Sequence, residues 1–249
     1  MKIPEKPKAV RVSYIVPDDA ESWTDLRRRA TEVLEAIRQF FLLEMTRSIY
    51  GPKTFDILYA DDGLVDFREI ATTLPKVLFE EGRDKGIPLC RKIAGPSDQT
   101  YVEACFIESN PVKDGRVCGD IAGASERRAY LSSLYLKVAS REWLSNEDAF
   151  SGKLPATISP TPILKWPHRG KTFGDIAGGG FGVICHELAH CFGTQNHNSE
   201  FDDEQCSQDM MGTGYRRMKR YLITGNSVGC CAFGKRALAV LSNSLHDVQ

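Results

Sequence analysis

Apolar and polar positions alternate from residue 8 to residue 16 (KAVRVSYIV), the two-residue period of a strand. Pro17 and two aspartates stop it, and Asp19 or Ser22 can cap a following helix. From Trp23 the period changes. Leu26, Ala30, Val33, Leu34, Ile37, Phe40, Phe41 and Met45 recur at helical spacing, which predicts one long helix ending near Tyr50-Gly51-Pro52. Residues 54–60 (TFDILYA) predict a second strand, closed by an Asp-Asp-Gly turn. Residues 66–81 predict a helix split or kinked at Pro75. Residues 82–99, rich in Gly, Pro and charge, are expected to be a loop. Tyr101–Glu108 and Tyr130–Val138 predict the third and fourth strands, with loop between them at 110–125. Residues 151–170 carry four prolines and are expected to run over the surface. An apolar helix containing FGVICHELAHCF follows Gly178-Gly179-Gly180, and Gly234–Leu245 predicts a closing helix. Strands around a long helix, followed by a second apolar helix, imply an α+β domain with a mixed sheet. The division is expected after Gly193: 1–193 as the larger part with the second helix, 194–249 as a small irregular C-terminal subdomain, the two making one domain overall.

Composition narrows the class. Thirty-two basic against 33 acidic residues give a formal net charge of -1, so no charge excess points to nucleic acid or an anionic membrane. No run approaches ~18 uninterrupted apolar residues, so no transmembrane helix is expected. The first twenty residues lack an apolar core with a small-residue cleavage site, which leads us to expect a cytoplasmic or nuclear monomer if Met1 is the natural start. On that reading the eight cysteines are reduced thiols, with Cys105 and Cys185 small buried residues.

The chemistry sits in His186-Glu187-Leu188-Ala189-His190. Residues four apart share a helix face, about 5–6 Å apart at Cβ. Two imidazoles there can reach one zinc ion at about 2.0–2.1 Å. Glu187, one position away, stays off the metal and is placed to act as general base on a water. The plain alternative is a helix that merely carries two histidines and a glutamate. Against it, the neighbours Phe181, Val183, Ile184, Leu188 and Phe192 are apolar, and unpaired histidines in such surroundings are costly. A catalytic zinc needs a third protein ligand. Gly193 is expected to end the helix in a left-handed turn that brings the chain back under the metal. Of the residues that follow, His197 is the better donor by chemistry and Asn196 the better placed by spacing.

HELAHCFGTQNH resembles the metzincin pattern H-E-x-x-H-x-x-G-x-x-H that precedes a methionine turn. His186, Glu187, His190 and Gly193 match it position by position; the third-ligand place falls on Asn196, and His197 stands one later. The resemblance implies a zincin fold: a mixed twisted sheet, a long backing helix and an active-site helix. It implies one catalytic zinc on His186, His190 and His197, and hydrolysis of a peptide or protein substrate. It makes Asp209-Met210-Met211-Gly212 the methionine turn, with Met211 as the apolar floor, and Tyr215, ahead of Tyr221, the oxyanion stabiliser. The tail is most similar to archaemetzincins, whose further cysteines hold a structural zinc. Cys206, Cys230 and Cys231, with Cys191, match that set incompletely, so a second zinc is not expected. The resemblance covers residues 180–245.

Other features have plainer readings. Arg116–Asp120 looks like a cysteine switch but lies inside the stretch expected to form the sheet, so Cys118 is a loop cysteine. Gly178–Gly182 lacks the Lys-Ser/Thr of a phosphate loop and is taken as a hinge feeding the metal helix. His168 and His246 are expected at the surface. Two other functions compete with a zinc peptidase. One is a catalytically weak or inactive zinc-binding interaction protein. The other is a zinc hydrolase with an acidic ligand from Asp202, Asp203 or Glu204.

Overall fold

The computed structural model describes residues 6–81, 83–109, 112–113, 116–117, 121–149, 171–195 and 207–248. It is α+β, with a mixed five-stranded sheet between helices. The strands are β1 (Val10–Val16), β3 (Phe67–Ala71), β4 (Val102–Ile107), β7 (Ala122–Ser125) and β8 (Arg128–Ser132), in the order β3-β1-β4-β8-β7. The first four run parallel; β7 is antiparallel to β8 and forms one edge. Two short pairs lie apart: β2 (Lys53–Thr54) with β9 (His246–Asp247), and β5 (Val112–Lys113) with β6 (Arg116–Val117).

Strand alternation sorts the side chains into two cores. Val12, Tyr14 and Val16, with Ala104, Phe106, Ala129 and Leu131, face α1 (Leu26–Thr46) and α5 (Phe173–Cys191). Ile15, Cys105, Ile107 and Tyr130 face α2 (Arg83–Ala94) through Cys90 and Ala94. Both faces being covered, β4 is buried at all six positions, and its sequence VEACFI is nearly continuous apolar instead of alternating. Its one charge, Glu103, meets Arg128 on β8. Nε of Arg128 donates to Oε2 at 2.9 Å and Nη1 to the Gly95 carbonyl at 2.7 Å, with both residues 2% exposed or less.

Several sequence expectations are corrected here. Residues 67–71 are strand β3, not helix: they pair with β1, and only a 3-10 turn, Lys76–Phe79, follows Pro75. The expected loop at 82–99 holds α2, which keeps Pro88 inside it and buries Gly86 and Cys90. The fourth strand stops at Ser132, whose hydroxyl accepts the Leu134 N–H and starts α3 (Ser133–Val138). The strand expected at 54–60 is reduced to β2 and single bridges at Ile57 and Tyr59. The expected loop at 110–125 contains β7. The long helix α1 and the closing helix, Lys235–Ser244, lie where the pattern put them. Between α3 and α5 runs α4 (Arg141–Leu144), and after α5 come a 3-10 turn, Gly214–Arg217, and α6 (Met218–Thr224), so the closing helix is α7. No helix among the described residues is long and apolar enough to cross a membrane.

Candidate metal centre

Helix α5 starts seven residues before Gly180, at a capping box. Thr172 Oγ1 accepts the Asp175 N–H at 3.1 Å, and the Asp175 carboxylate accepts the Thr172 N–H at 3.2 Å. The glycines expected to form a hinge lie inside it. Gly174, Gly178 and Gly182 recur every fourth residue and form a stripe against which other chain packs. A methyl group on Gly178 would stand 2.6 Å from the Lys219 backbone, and one on Gly182 1.8 Å from the Tyr215 carbonyl oxygen.

Four residues beyond Gly182 the helix presents its two histidines. Their Nε2 atoms are 3.1 Å apart, with the ring planes at 86°. Each Nδ1 meets a backbone carbonyl. His186 Nδ1 is 2.7 Å from the Met210 oxygen, and His190 Nδ1 is 2.9 Å from the Thr194 oxygen. A carbonyl only accepts, so each Nδ1 carries the hydrogen, and in the neutral rings both Nε2 atoms turn lone pairs toward one another.

Local chain geometry supplies both carbonyls. Gly193 takes φ +98°, and its N–H bonds the His190 carbonyl at 2.8 Å, so the chain turns back and places the Thr194 oxygen under His190. The Met210 carbonyl is held by a tight turn. Asp209 Oδ1 accepts the Met211 N–H at 2.8 Å, its main-chain oxygen accepts from Gly212 and Gly214, and Met210 N–H bonds the Ala232 carbonyl at 2.9 Å. Met211 is 2% exposed, and its sulfur lies 3.4 Å from the Thr194 hydroxyl.

Glu187 is 7% exposed, and burial pushes its carboxyl up to about 7 against the opposing field of Arg83. The Tyr215 ring stands 5.0 Å from the His186 ring, and its hydroxyl accepts from Arg216 Nε at 3.2 Å. Tyr221 instead packs on Phe40, 4.8 Å between centroids. His246 is half-buried, with Nε2 2.7 Å from the Pro7 carbonyl. Cys230 and Cys231 are buried, their sulfurs 3.6 Å apart, and the hydrogen bond between them brings the Cys230 thiol down to about 7. The structure therefore brings together His186, Glu187, His190, Met211 and Tyr215. Asn196, His197, Asp202, Asp203, Glu204, Cys206, Cys118 and His168 lie outside the described residues. Among the described residues no third His, Cys, Asp or Glu completes a metal-holding group with the pair. Sequence reasoning did not find the two orienting carbonyls, the Asp209 turn or Arg83. Only Asp209, beside the two methionines, left any signal.

No protein-family model matches this chain, and no curated protein matches it. Solved structures do. Wild-type OgpA from Akkermansia muciniphila superposes with a TM-score of 0.59 at 16% identity, over 97% of this chain and 62% of that one. A catalytically inactive OgpA, solved in complex with an O-glycopeptide (glycodrosocin) substrate, gives 0.59 at 15%, over 97% and 61%. The likeness is one of fold, and the chain spans about three fifths of the length of these structures. Archaemetzincin from Methanopyrus kandleri, at 12% identity and a TM-score of 0.40, is too distant to carry any argument.

Proposed function

We propose that this chain is a zinc metallopeptidase of metzincin-like fold, with His186, His190 and His197 holding the ion and Glu187 as general base. The carrying observation is the facing Nε2 pair, 3.1 Å apart, with both Nδ1 hydrogens already given to carbonyls. Two bare lone pairs repel at that distance unless a proton or cation lies between them. Two nitrogens on one tetrahedral zinc stand about 3.3 Å apart, which follows from bonds of ~2.0–2.1 Å. Zinc-binding histidines commonly give their other N–H to a carbonyl in this way. The donor set therefore fits the ion.

A bound zinc supplies Lewis acidity toward water and toward a carbonyl oxygen. The chain's residues do the rest. The Met210 and Thr194 carbonyls fix both rings in one tautomer. Glu187, its proton affinity raised by burial, takes a proton from the attacking water and returns it to the leaving amine. Met211 closes the floor as an apolar residue that does not compete for the ion. Tyr215, beside His186, is assigned to steady the developing oxyanion, which requires Arg216 to release its hydroxyl or to act with it. The OgpA complex supports a peptide substrate and puts O-glycopeptides in the test panel alongside unmodified peptides.

Elemental analysis and peptide cleavage test this together. The purified protein should carry one zinc, and Glu187→Gln should keep it while losing about 10²–10⁴-fold in turnover. His197→Ala should weaken zinc binding beyond the ~10–100-fold typical of an outer-shell loss. Asn196→Ala should change it little, and the reverse result would move the third ligand to Asn196. A protein that binds zinc yet cleaves no peptide or glycopeptide would be the inactive zinc-binding interaction protein instead.

A further inference from the structure

Arg83 is a cation with no part in the reading above. It opens α2, on the opposite face of the sheet from α5, and its side chain returns across the edge strand. A methyl group placed on Gly123 of β7 would stand 3.3 Å from Arg83 Nε and 3.4 Å from Nη2. It would also lie 2.6 Å from Ile87 Cδ1, so the bare backbone of Gly123 is what lets the guanidinium lie flat there. β7 is the edge of the sheet, and α5 packs beside it, with Glu187 inside the field of Arg83. Arg83 is nevertheless exposed, and among the described residues no carboxylate lies within ion-pair distance of it. Other arginines on this sheet are spoken for: Arg11 and Arg68 approach Glu103, and Arg128 bonds it.

A guanidinium held flat, with its fork of donors open to solvent at the rim of a cleft, matches one ligand chemistry above others: a planar carboxylate taken by two N–H groups. We propose that Arg83 is a specificity residue that binds a substrate carboxylate beside Glu187, making this site selective for acidic peptides. The inference rests on the peptidase reading for the identity of the site. It adds the class of peptide and the residue that selects it. The carboxylate has two sources in a peptide, an Asp or Glu side chain or the free C-terminus. The side chain fits better, because Arg83 lies along a strand edge and not at a closed end.

The test separates binding from turnover. Fluorescent peptides differing only by Glu against Gln, each with a free or an amidated C-terminus, are titrated onto Glu187→Ala protein and cleaved by the Glu187 enzyme. The Glu peptide should bind about tenfold tighter than the Gln peptide, the order of one charge-assisted pair. The same ratio should appear in KM. Arg83→Gln should bring it to about one, and Arg83→Glu should invert it in favour of a Lys peptide. Lys85→Gln, on the same helix, should leave it unchanged, and circular dichroism confirms that each variant is folded. If amidation, and not Glu→Gln, removes the preference, the carboxylate is the C-terminal one and the side-chain assignment fails. Equal binding of all four peptides, unaffected by Arg83→Gln, overturns the inference while leaving the peptidase reading intact. An Arg83-dependent preference in binding without any cleavage would sink the peptidase reading and leave the carboxylate site standing.

Discussion

Both histidines are oriented by the backbone. His186 depends on a carbonyl 24 positions away, and that carbonyl depends on Asp209. Replacing Asp209 by Ala should free the buried Met211 N–H and loosen the turn, at a cost of about 1–3 kcal/mol. Zinc affinity should fall with it, because the Met210 oxygen no longer fixes the His186 tautomer; denaturant melts and metal titration of Asp209→Ala check both. A second residue-scale prediction concerns acid. Burial works to raise the Glu103 carboxyl, but the charge and hydrogen bonds of Arg128 and the charge of Arg11 outweigh it and hold the group below the usual range. A depressed folded-state pKa stabilises above the unfolded value, about 4.3 for Glu. That stability drains away as pH falls through the folded value. Wild-type stability should therefore drop below pH ~4. Glu103→Gln should flatten that limb and lower stability at pH 7 by about 3–5 kcal/mol, since Arg128 is left buried without its partner. What was legible at this scale was local: His186, Glu187 and His190 stand on one helical turn, so spacing alone placed them. Arg83 and the Met210 carbonyl reach the site from distant chain, and a backbone oxygen has no residue type to betray it.

At the scale of elements, α5 shows why a run of glycines need not be a hinge. Helix propensity argues against Gly178-Gly179-Gly180, by about 1 kcal/mol per glycine relative to Ala. Tertiary contact overrides it, because Gly178 and Gly182 admit the Lys219 backbone and the Tyr215 carbonyl closer than any side chain would allow. Gly179 has nothing within 4 Å of its would-be methyl. Gly179→Ala should accordingly stabilise the protein by about 0.5–1 kcal/mol. Gly182→Ala should destabilise it and displace Tyr215 from His186, with lost activity even where the protein still folds. Thermal melts of the two variants give opposite signs if the stripe is a packing surface and equal signs if it is a flexible joint. The same override explains the misread elements. Gly86 and Pro88 made α2 look like loop, yet Pro88 sits near the helix start, where a missing N–H matters least. Residues 67–71 carry charge at alternate positions because β3 is an edge strand, half-buried at most, and such a pattern resembles a helix face.

At the scale of the whole molecule, the centre joins segments that meet only through the histidines and the turns beneath them. α5 crosses the main core as one rod. The Gly193 turn leaves its end, and the Asp209 turn returns through the Ala232 bridge that precedes α7. An ion on His186 and His190 therefore bears on the alignment of all three, and the unfolded chain has no preformed counterpart to compete for it. Binding to the folded state alone stabilises by about 2.7 kcal/mol at a hundredfold excess over Kd. For a chain of this size that corresponds to a Tm rise of roughly 5–10 °C, at about 2–4 °C per kcal/mol. Chelation should lower Tm by that amount, and added zinc should restore it. Glu187→Gln should behave like wild type, because its carboxyl is not a ligand, whereas His186→Ala and His190→Ala should start lower and respond to neither chelator nor zinc. A Tm indifferent to zinc in the unaltered protein, measured with the facing rings intact, would mean that the Nε2 pair shares a proton and not a metal ion.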